Sequence, residues 1–197
     1  MGPAPEDIAH TRRARGAEVV TIALLLCLLA VAINWLPHFN RVKGKDGAAL
    51  EVESTSFSNG GIIPGRYTCD GASLSPELHW TAAPAGTKSF ALVMDDPDAL
   101  DFTHWIAYNI RPDARELAEG ASRSQMSQGS AEGANSYGAV GYAGPCPPPG
   151  KPHHYVFRVF ALDRSLALPA GAARGQVNAA MKGHVLAEGR MTGLYQR

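Results

Sequence analysis

Three runs of apolar residues constrain the fold of this chain more than any other feature. They cover residues 89–94 (SFALVM), 105–110 (WIAYNI) and 155–162 (YVFRVFAL). Near-continuous apolar runs of this length, bounded by polar residues, are typical of central strands that are buried on both faces of a sheet. The 197 residues include 21 glycines and 14 prolines, a content that suits short strands joined by turns. The sequence therefore predicts a β-rich core.

Weaker patterns complete the predicted domain. Residues 50–57 (LEVESTSF) alternate between apolar and polar, which predicts a strand, and residues 78–80 form a second short apolar segment. Residues 111–152 lack apolar periodicity and are interpreted as long surface loops. Residues 175–188 are predicted to form a C-terminal helix, because helical spacing separates Val177, Met181, His184 and Val185. We therefore expect a mainly β, antiparallel domain over residues 49–197 with a late helix.

An apolar segment precedes this domain. Residues 19–36 (VVTIALLLCLLAVAINWL) carry no charge and are long enough to cross a bilayer core of roughly 30 Å as a helix. Arg12, Arg13 and Arg15 precede the segment, and such positive flanks tend to stay in the cytoplasm. The predicted order is a cytoplasmic tail at 1–18, a transmembrane signal anchor at 19–36 and a linker at 37–48. The domain is then membrane-anchored outside the cytoplasm, in the periplasm or the extracellular space.

A cleaved signal peptide is the alternative interpretation of the same segment. Ala30, Val31 and Ala32 form an A-x-A pattern after a short apolar region, as signal peptidase sites do. Cleavage there would release a secreted domain that begins at Ile33. Both interpretations predict an exported domain.

Charge and cysteine content limit the partners. Lys plus Arg and Asp plus Glu are both 18, so no basic excess indicates a nucleic-acid partner. Of three cysteines, Cys27 lies in the apolar segment, while Cys69 and Cys146 lie in Gly/Pro-rich loops of the domain. Export would favour a disulfide between these two, but spacing alone also permits two buried free thiols.

Polar residues gather at the ends of the three apolar runs. Asp95, Asp96 and Asp98 follow the first, Thr103 and His104 precede the second, and His153 and His154 precede Tyr155 at the start of the third. If the three strands are neighbours, these ends converge on one small-ligand pocket. Imidazole and phenol groups can donate to a phosphate or carboxylate oxygen, and residues 144–150 (GPCPPPG) would form a stiff wall.

No motif indicates catalysis. The sequence has no Gly-x-Ser-x-Gly elbow, and His79, His153 and His154 lack the spacing of a metal site. We therefore expect no metal, no cofactor and no enzymatic activity.

Taken together and in their order along the chain, the turn, aspartate, histidine and proline motifs of this sequence resemble those of the phosphatidylethanolamine-binding protein family. The resemblance is to its prokaryotic branch in particular, the Raf kinase inhibitor-like proteins. The resemblance begins near residue 50 and reaches the C-terminus. The motifs that carry it are residues 57–64 (FSNGGIIP), 67–71 (YTCDG), 96–99 (DPDA), 104–105 (HW), 144–148 (GPCPP), 153–155 (HHY) and 183–195 (GHVLAEGRMTGLY).

The resemblance implies a two-sheet antiparallel β fold with a pocket for phosphate, acetate or phosphoethanolamine-type head groups. By position, the implied ligand-binding residues are Asp96, Asp98, His104, Pro147, Pro148, His153 and Tyr155. Two residues depart from the family pattern: Leu100 replaces a common proline, and His154 replaces a common arginine. Because an unperturbed histidine titrates near ~6.5, the second change predicts weaker anion binding above about pH 7.

Three functions compete at this point. The first is non-enzymatic binding of a small anion or phospholipid head group. The second is inhibition of a partner kinase or protease, although nothing in the sequence names such a protein. The third is phosphoester hydrolysis with His104 and Asp96 as a general base pair, although no activated nucleophile is evident.

Overall fold

The computed structural model describes residues 49–124 and 126–197, which form two antiparallel sheets. The predicted tail, apolar segment 19–36 and linker lie outside the described residues. No helix in the described part of the chain is long and apolar enough to cross a membrane. The strands, in chain order, are β1 (Val52–Glu53), β2 (Leu78–Trp80), β3 (Ser89–Asp96), β4 (Phe102–Ile110), β5 (Glu116–Leu117), β6 (Ala131–Glu132), β7 (His153–Leu162) and β8 (Val185–Tyr195).

The larger sheet has the order β6-β4-β3-β7-β8 and the smaller one the order β1-β2-β5. Every residue of β3 is buried, because the smaller sheet covers one face of the larger sheet and the C-terminal helix Arg174–Met181 covers the other. The prediction that the first apolar run is a central strand buried on both faces is confirmed. The other two runs, in β4 and β7, are its immediate neighbours.

The alternating segment 50–57 forms less strand than predicted. Only Val52–Glu53 pairs with β2, although Leu50 and Phe57 are also buried in the core between the sheets. The loop region 111–152 contains β5, the short helix Ala121–Ser124 and β6, and is otherwise irregular.

The predicted C-terminal helix over 175–188 is wrong in its second half. The helix ends at Met181, and Gly183 adopts a φ of +80°, a left-handed conformation that commonly terminates helices. From Val185 the chain forms β8, in which alternate residues are buried and which pairs with β7 along its length. The period-2 burial of Val185 and the residues after it therefore prevails over the apparent helical spacing.

Two glycines allow the N-terminal segment of the domain to cross β8 closely. A Cβ at Gly189 would lie 2.3 Å from the carbonyl oxygen of Leu50, and one at Gly193 would lie 2.5 Å from Ile63 Cγ1. Residues 49–63 therefore pack directly on β8, where Ala49 and Ile62 form parallel bridges.

Candidate functional site

The pairing of the three central strands brings their polar ends together. Asp95, near the end of β3, is level with Thr103 at the start of β4 and with Val156 near the start of β7. The convergence predicted from the sequence is therefore present at one end of the larger sheet. It places Asp96, His104 and Tyr155 on the side that faces the smaller sheet.

A bulge turns His104 toward this side. Met94 pairs with Trp105, but the next residue, Asp95, pairs with Thr103, so His104 is the extra residue on β4. An extra residue of this kind redirects side chains and is common beside functional sites. The His104 ring lies edge-on to the Tyr155 ring, with 5.2 Å between centroids.

Asp96 organises the turn that leaves β3. Its Oδ1 accepts hydrogen bonds from the backbone N–H groups of Asp98 (2.9 Å) and Ala99 (3.2 Å), and Pro97 begins the 3-10 turn that it caps. Its Oδ2 lies 2.7 Å from Nδ1 of His153, which donates because the carboxylate can only accept. Asp96 is 3% exposed, so this carboxylate is buried and both of its oxygens accept hydrogen bonds.

His104 is held in one tautomer. Its Nδ1 lies 2.8 Å from the carbonyl oxygen of Ala143, and since a carbonyl only accepts, Nδ1 carries the proton. Burial lowers the pKa of His104 below its ordinary value, although this hydrogen bond and the charge of Asp96 oppose the shift. The ring is therefore neutral at pH 7, and the lone pair of Nε2 accepts no hydrogen bond from the described residues.

The Tyr155 hydroxyl is the unsatisfied group of the site. Its oxygen is buried and makes no hydrogen bond of acceptable geometry in the described part of the chain, although the carboxylate of Asp96 lies close enough to interact with it. Burial raises the pKa of Tyr155, and the negative charge of Asp96 raises it further. The hydroxyl therefore stays protonated and can donate to a ligand.

Asp98 and His154 form a second pair on the outer side of the site. Asp98 Oδ2 accepts from the backbone N–H of His154 (2.7 Å) and from its Nδ1 (2.8 Å). The backbone hydrogen bond is the main reason that the pKa of Asp98 is lowered. Both side chains are about half exposed, at 42% and 55%, so the residue that departs from the family pattern lies at the solvent-facing lip.

The wall segment is tied to the domain by a disulfide. Cys69 and Cys146 are bonded, with 5.4 Å between their Cα atoms, which resolves the alternative of two free thiols. Pro147 is buried and Pro148 is exposed. In the described part of the chain no hydrogen bond joins either proline to His104 or Tyr155, so these two site predictions rest on the resemblance alone. Ala143, which holds His104, lies three residues before Cys146.

The histidines considered as a metal set are not brought together. His79 lies on β2 in the smaller sheet, where it pairs with Glu77 and Glu116. His153 and His154 lie on β7 in the larger sheet and have separate carboxylate partners.

Sequence reasoning missed a charged cluster behind the site. Asp95 is 2% exposed and accepts from Thr103 Oγ1 (2.8 Å), Arg158 Nη1 (2.9 Å) and Arg174 Nη2 (3.0 Å). These contacts join β3, β4, β7 and the C-terminal helix on the face opposite His104. Arg158 in an otherwise apolar strand was the one available signal, since a charge there needs a partner.

Two aromatic residues beside His104 were also missed. Phe102 lies 5.1 Å from the His104 ring between centroids, and Tyr137 lies 4.7 Å from Phe102. Tyr137 belongs to a glycine-rich loop without periodicity, so only the fold places it at the site.

Known proteins resemble this chain over the whole domain. The sequence profile described as phosphatidylethanolamine-binding protein matches residues 53–196. A UPF0098 protein of Aquifex aeolicus is 50% identical over 155 residues, which cover 77% of this chain and 91% of that protein. A UPF0098 protein of Methanothermobacter thermautotrophicus is 46% identical over 151 residues, which cover 75% and 99%.

Two crystal structures share the fold. YbcL of Escherichia coli, described as a member of the mammalian PEBP family, superimposes with a TM-score of 0.72 at 31% identity and covers 76% of this chain and 99% of its own. A putative phosphatidylethanolamine-binding protein homologue of Chlamydia trachomatis gives a TM-score of 0.69 at 36% identity and covers 76% and 98%.

Proposed function

This chain belongs to the phosphatidylethanolamine-binding protein family, and from that premise we propose that its pocket binds a small anionic or phospholipid head-group ligand without turning it over. The observation that carries the proposal is the buried, unpartnered hydroxyl of Tyr155. A buried donor without an acceptor costs about 1–3 kcal/mol. A ligand oxygen that accepts from this hydroxyl would recover that energy.

The charges of the site favour a particular kind of anion. His104 is neutral, and the carboxylates of Asp96 and Asp98 are close by. A dianion would be repelled by these carboxylates. A phosphodiester with one negative charge and an ammonium group is a better match, since Asp98 at the lip can accept from the ammonium while Tyr155 donates to the phosphate.

Binding without turnover is supported by the partners of the two histidines. His104 donates to a carbonyl and His153 donates to a carboxylate. Within the described residues neither is hydrogen-bonded to a Ser, Thr or Cys side chain, so the nucleophile and base pairing of covalent catalysis has no counterpart at these rings. Turnover of a phosphoester panel that disappears in His104→Ala would instead support a hydrolase.

The test compares two buried tyrosines. Tyr155→Phe removes the unpartnered hydroxyl, whereas Tyr142→Phe removes one that donates to the carbonyl oxygen of Tyr67 at 2.6 Å. We expect Tyr155→Phe to weaken binding of glycerophosphoethanolamine by roughly tenfold or more, the value of a hydrogen bond to a charged group, without loss of stability. Tyr142→Phe should lose about 1 kcal/mol of stability and keep its affinity. Equal affinities of Tyr155→Phe and wild type in calorimetric titration would contradict the proposal.

Export of the domain is the second part of the proposal. The apolar segment 19–36 and the Cys69–Cys146 disulfide support it, because disulfides persist mainly in oxidising compartments. Mass spectrometry of the mature N-terminus distinguishes the two forms: an intact N-terminus fits the membrane anchor, and a chain that begins at Ile33 fits a cleaved signal peptide. Export would be contradicted if a membrane-impermeant reagent labelled the domain only after the cytoplasmic membrane had been permeabilised.

A further inference from the structure

Large hydrophobic side chains are strongly exposed at four positions in the described part of the chain. The exposed fractions are 64% for Ile62, 99% for Leu100, 60% for Tyr137 and 56% for Val140. Single exposed hydrophobic residues are common on protein surfaces and need no explanation. Their distribution over the domain is the informative property.

Three of the four, Ile62, Leu100 and Tyr137, lie at the end of the larger sheet that carries the pocket, whereas Val140 bridges Ala134 at the outer edge of the sheet, beside Gly171. Leu100 directly follows the turn capped by Asp96. Tyr137 and Val140 belong to the loop 135–142, and hydrogen bonds attach both ends of this loop to β4. Ser136 N–H donates to Thr103 O, and Ala143 N–H, just after the loop, donates to His104 O, both at 2.9 Å.

Ile62 reaches the same end from the other side of the pocket. It forms a parallel bridge with Leu194, and Leu194 pairs with His154 at the start of β7. Ile62, Leu100 and Tyr137 therefore lie near the strand ends from which Asp96, His104 and Tyr155 project.

Of the four residues, Leu100 gives the strongest indication of a role outside folding. It adopts a φ of +57°, a left-handed conformation that costs a residue with a Cβ roughly 1–2 kcal/mol and is usually occupied by glycine or asparagine. Its side chain is 99% exposed, so burial in the domain does not offset that strain. A leucine at this position has no folding role that its contacts can explain.

The three loops that carry these exposed residues are poor in charge. Residues 58–64 (SNGGIIP) and 135–142 (NSYGAVGY) contain no charged side chain, and the turn 97–101 contains only Asp98 and Asp101. A surface that binds anionic lipid through charge would carry Lys or Arg clusters. Uncharged loops with leucine, isoleucine and tyrosine instead resemble the apolar and aromatic groups that enter the interfacial region of a membrane.

We propose that Ile62, Leu100 and Tyr137 form an apolar rim that inserts into the interface of a zwitterionic bilayer, so that the pocket meets a head group in place. The inference rests on the proposed head-group binding and adds the surface that presents the pocket to the lipid. The predicted linker 37–48 supports this occupant, since a segment of that length extends to roughly 40 Å and would keep an anchored domain within reach of its own membrane.

The experiment uses the full chain in nanodiscs of phosphatidylcholine and phosphatidylethanolamine. Cys27→Ser provides a background in which the remaining cysteines are in the disulfide. An environment-sensitive fluorophore is attached through Leu100→Cys, and in a matched control through Ser165→Cys. Ser165 is exposed and follows the opposite end of β7. Spin-labelled lipids in the same nanodiscs quench only fluorophores that contact the bilayer.

We expect quenching at position 100 to exceed that at position 165 several-fold, with a blue-shifted emission. Equal quenching at the two positions overturns the rim. So does a blue shift at position 100 that requires an added protein, because it assigns the surface to a protein partner. Titration with glycerophosphoethanolamine reports on the pocket separately: quenching without glycerophosphoethanolamine binding rejects the proposed function alone, and glycerophosphoethanolamine binding without quenching rejects the rim alone.

Discussion

Loss of the Cys69–Cys146 bridge should destabilise the domain strongly, because the bridge closes a long loop. The two cysteines are 77 residues apart in sequence, and the loop-closure relation then gives about 4.5 kcal/mol at 25 °C as the stabilisation from restricting the unfolded chain. For a domain of this size, that loss corresponds to a fall in Tm of roughly 10–18 °C. With a urea m-value of about 2 kcal/mol/M, the midpoint should fall by about 2 M.

The assay is urea unfolding of the double variant Cys69→Ala/Cys146→Ala. The control is Cys27→Ser, which leaves the bridge intact and should unfold at the same urea concentration as wild type. The same variants report on the pocket. Ala143, the acceptor for His104 Nδ1, lies three residues before Cys146, so the double variant should also bind glycerophosphoethanolamine more weakly.

A loss of stability below about 1 kcal/mol in the double variant would refute this reasoning. It would mean that backbone hydrogen bonds hold the wall without the bridge. Two are available: Cys69 N–H donates to Pro145 O, and Gly150 N–H donates to Arg197 O, both at 3.1 Å.

Three further predictions concern charged and titrating groups. Burial lowers the pKa of His104 in the folded state, so just below pH 6.5 only the unfolded chain binds a proton at this histidine. The free energy of unfolding should therefore rise with pH in that window, by up to about 1.4 kcal/mol per pH unit. His104→Gln should flatten this dependence in urea unfolding between pH 5 and 6.5, and an unchanged slope would contradict the reasoning. Asp95→Ala leaves Arg158 and Arg174 without their buried carboxylate and should cost about 3 kcal/mol in the same assay, whereas Asp113→Ala, which breaks an exposed pair, should have no measurable effect. His154→Arg places a permanent positive charge at the lip of the site and should tighten the binding of glycerophosphoethanolamine measured by phosphorus NMR at pH 8; equal affinities of this variant and wild type would contradict this.

Much of the fold could be predicted from local pattern. The three apolar runs became β3, β4 and β7 in adjacent positions, because burial on both faces leaves a characteristic mark in the sequence of each strand. The boundary between the C-terminal helix and β8 could not be predicted in the same way. Val185 fits both a helical and an alternating pattern, and only its pairing with Leu162 decides between them.

The convergence of the polar strand ends could be predicted from the sequence, but the hydrogen bonds made there could not. Chain order and strand neighbours sufficed to bring Asp96, His104, His153 and Tyr155 together. The neutral tautomer of His104 depends on a carbonyl 39 positions away, and the partner arginine of Asp95 on the C-terminal helix is 79 positions away. Such contacts leave no trace in local composition.

The sequence by itself thus determined the three central strands and which polar residues stand at their ends, because both follow from burial and from the short-range geometry of the chain. The tertiary structure alone decided which of those residues are satisfied. It supplied His153 with Asp96, His104 with Ala143 and Asp98 with His154, and it left the Tyr155 hydroxyl buried without a partner. Hydrogen bonding inside a folded domain depends on residues that are distant in sequence, so the group available to a ligand is known only once the fold has paired the others.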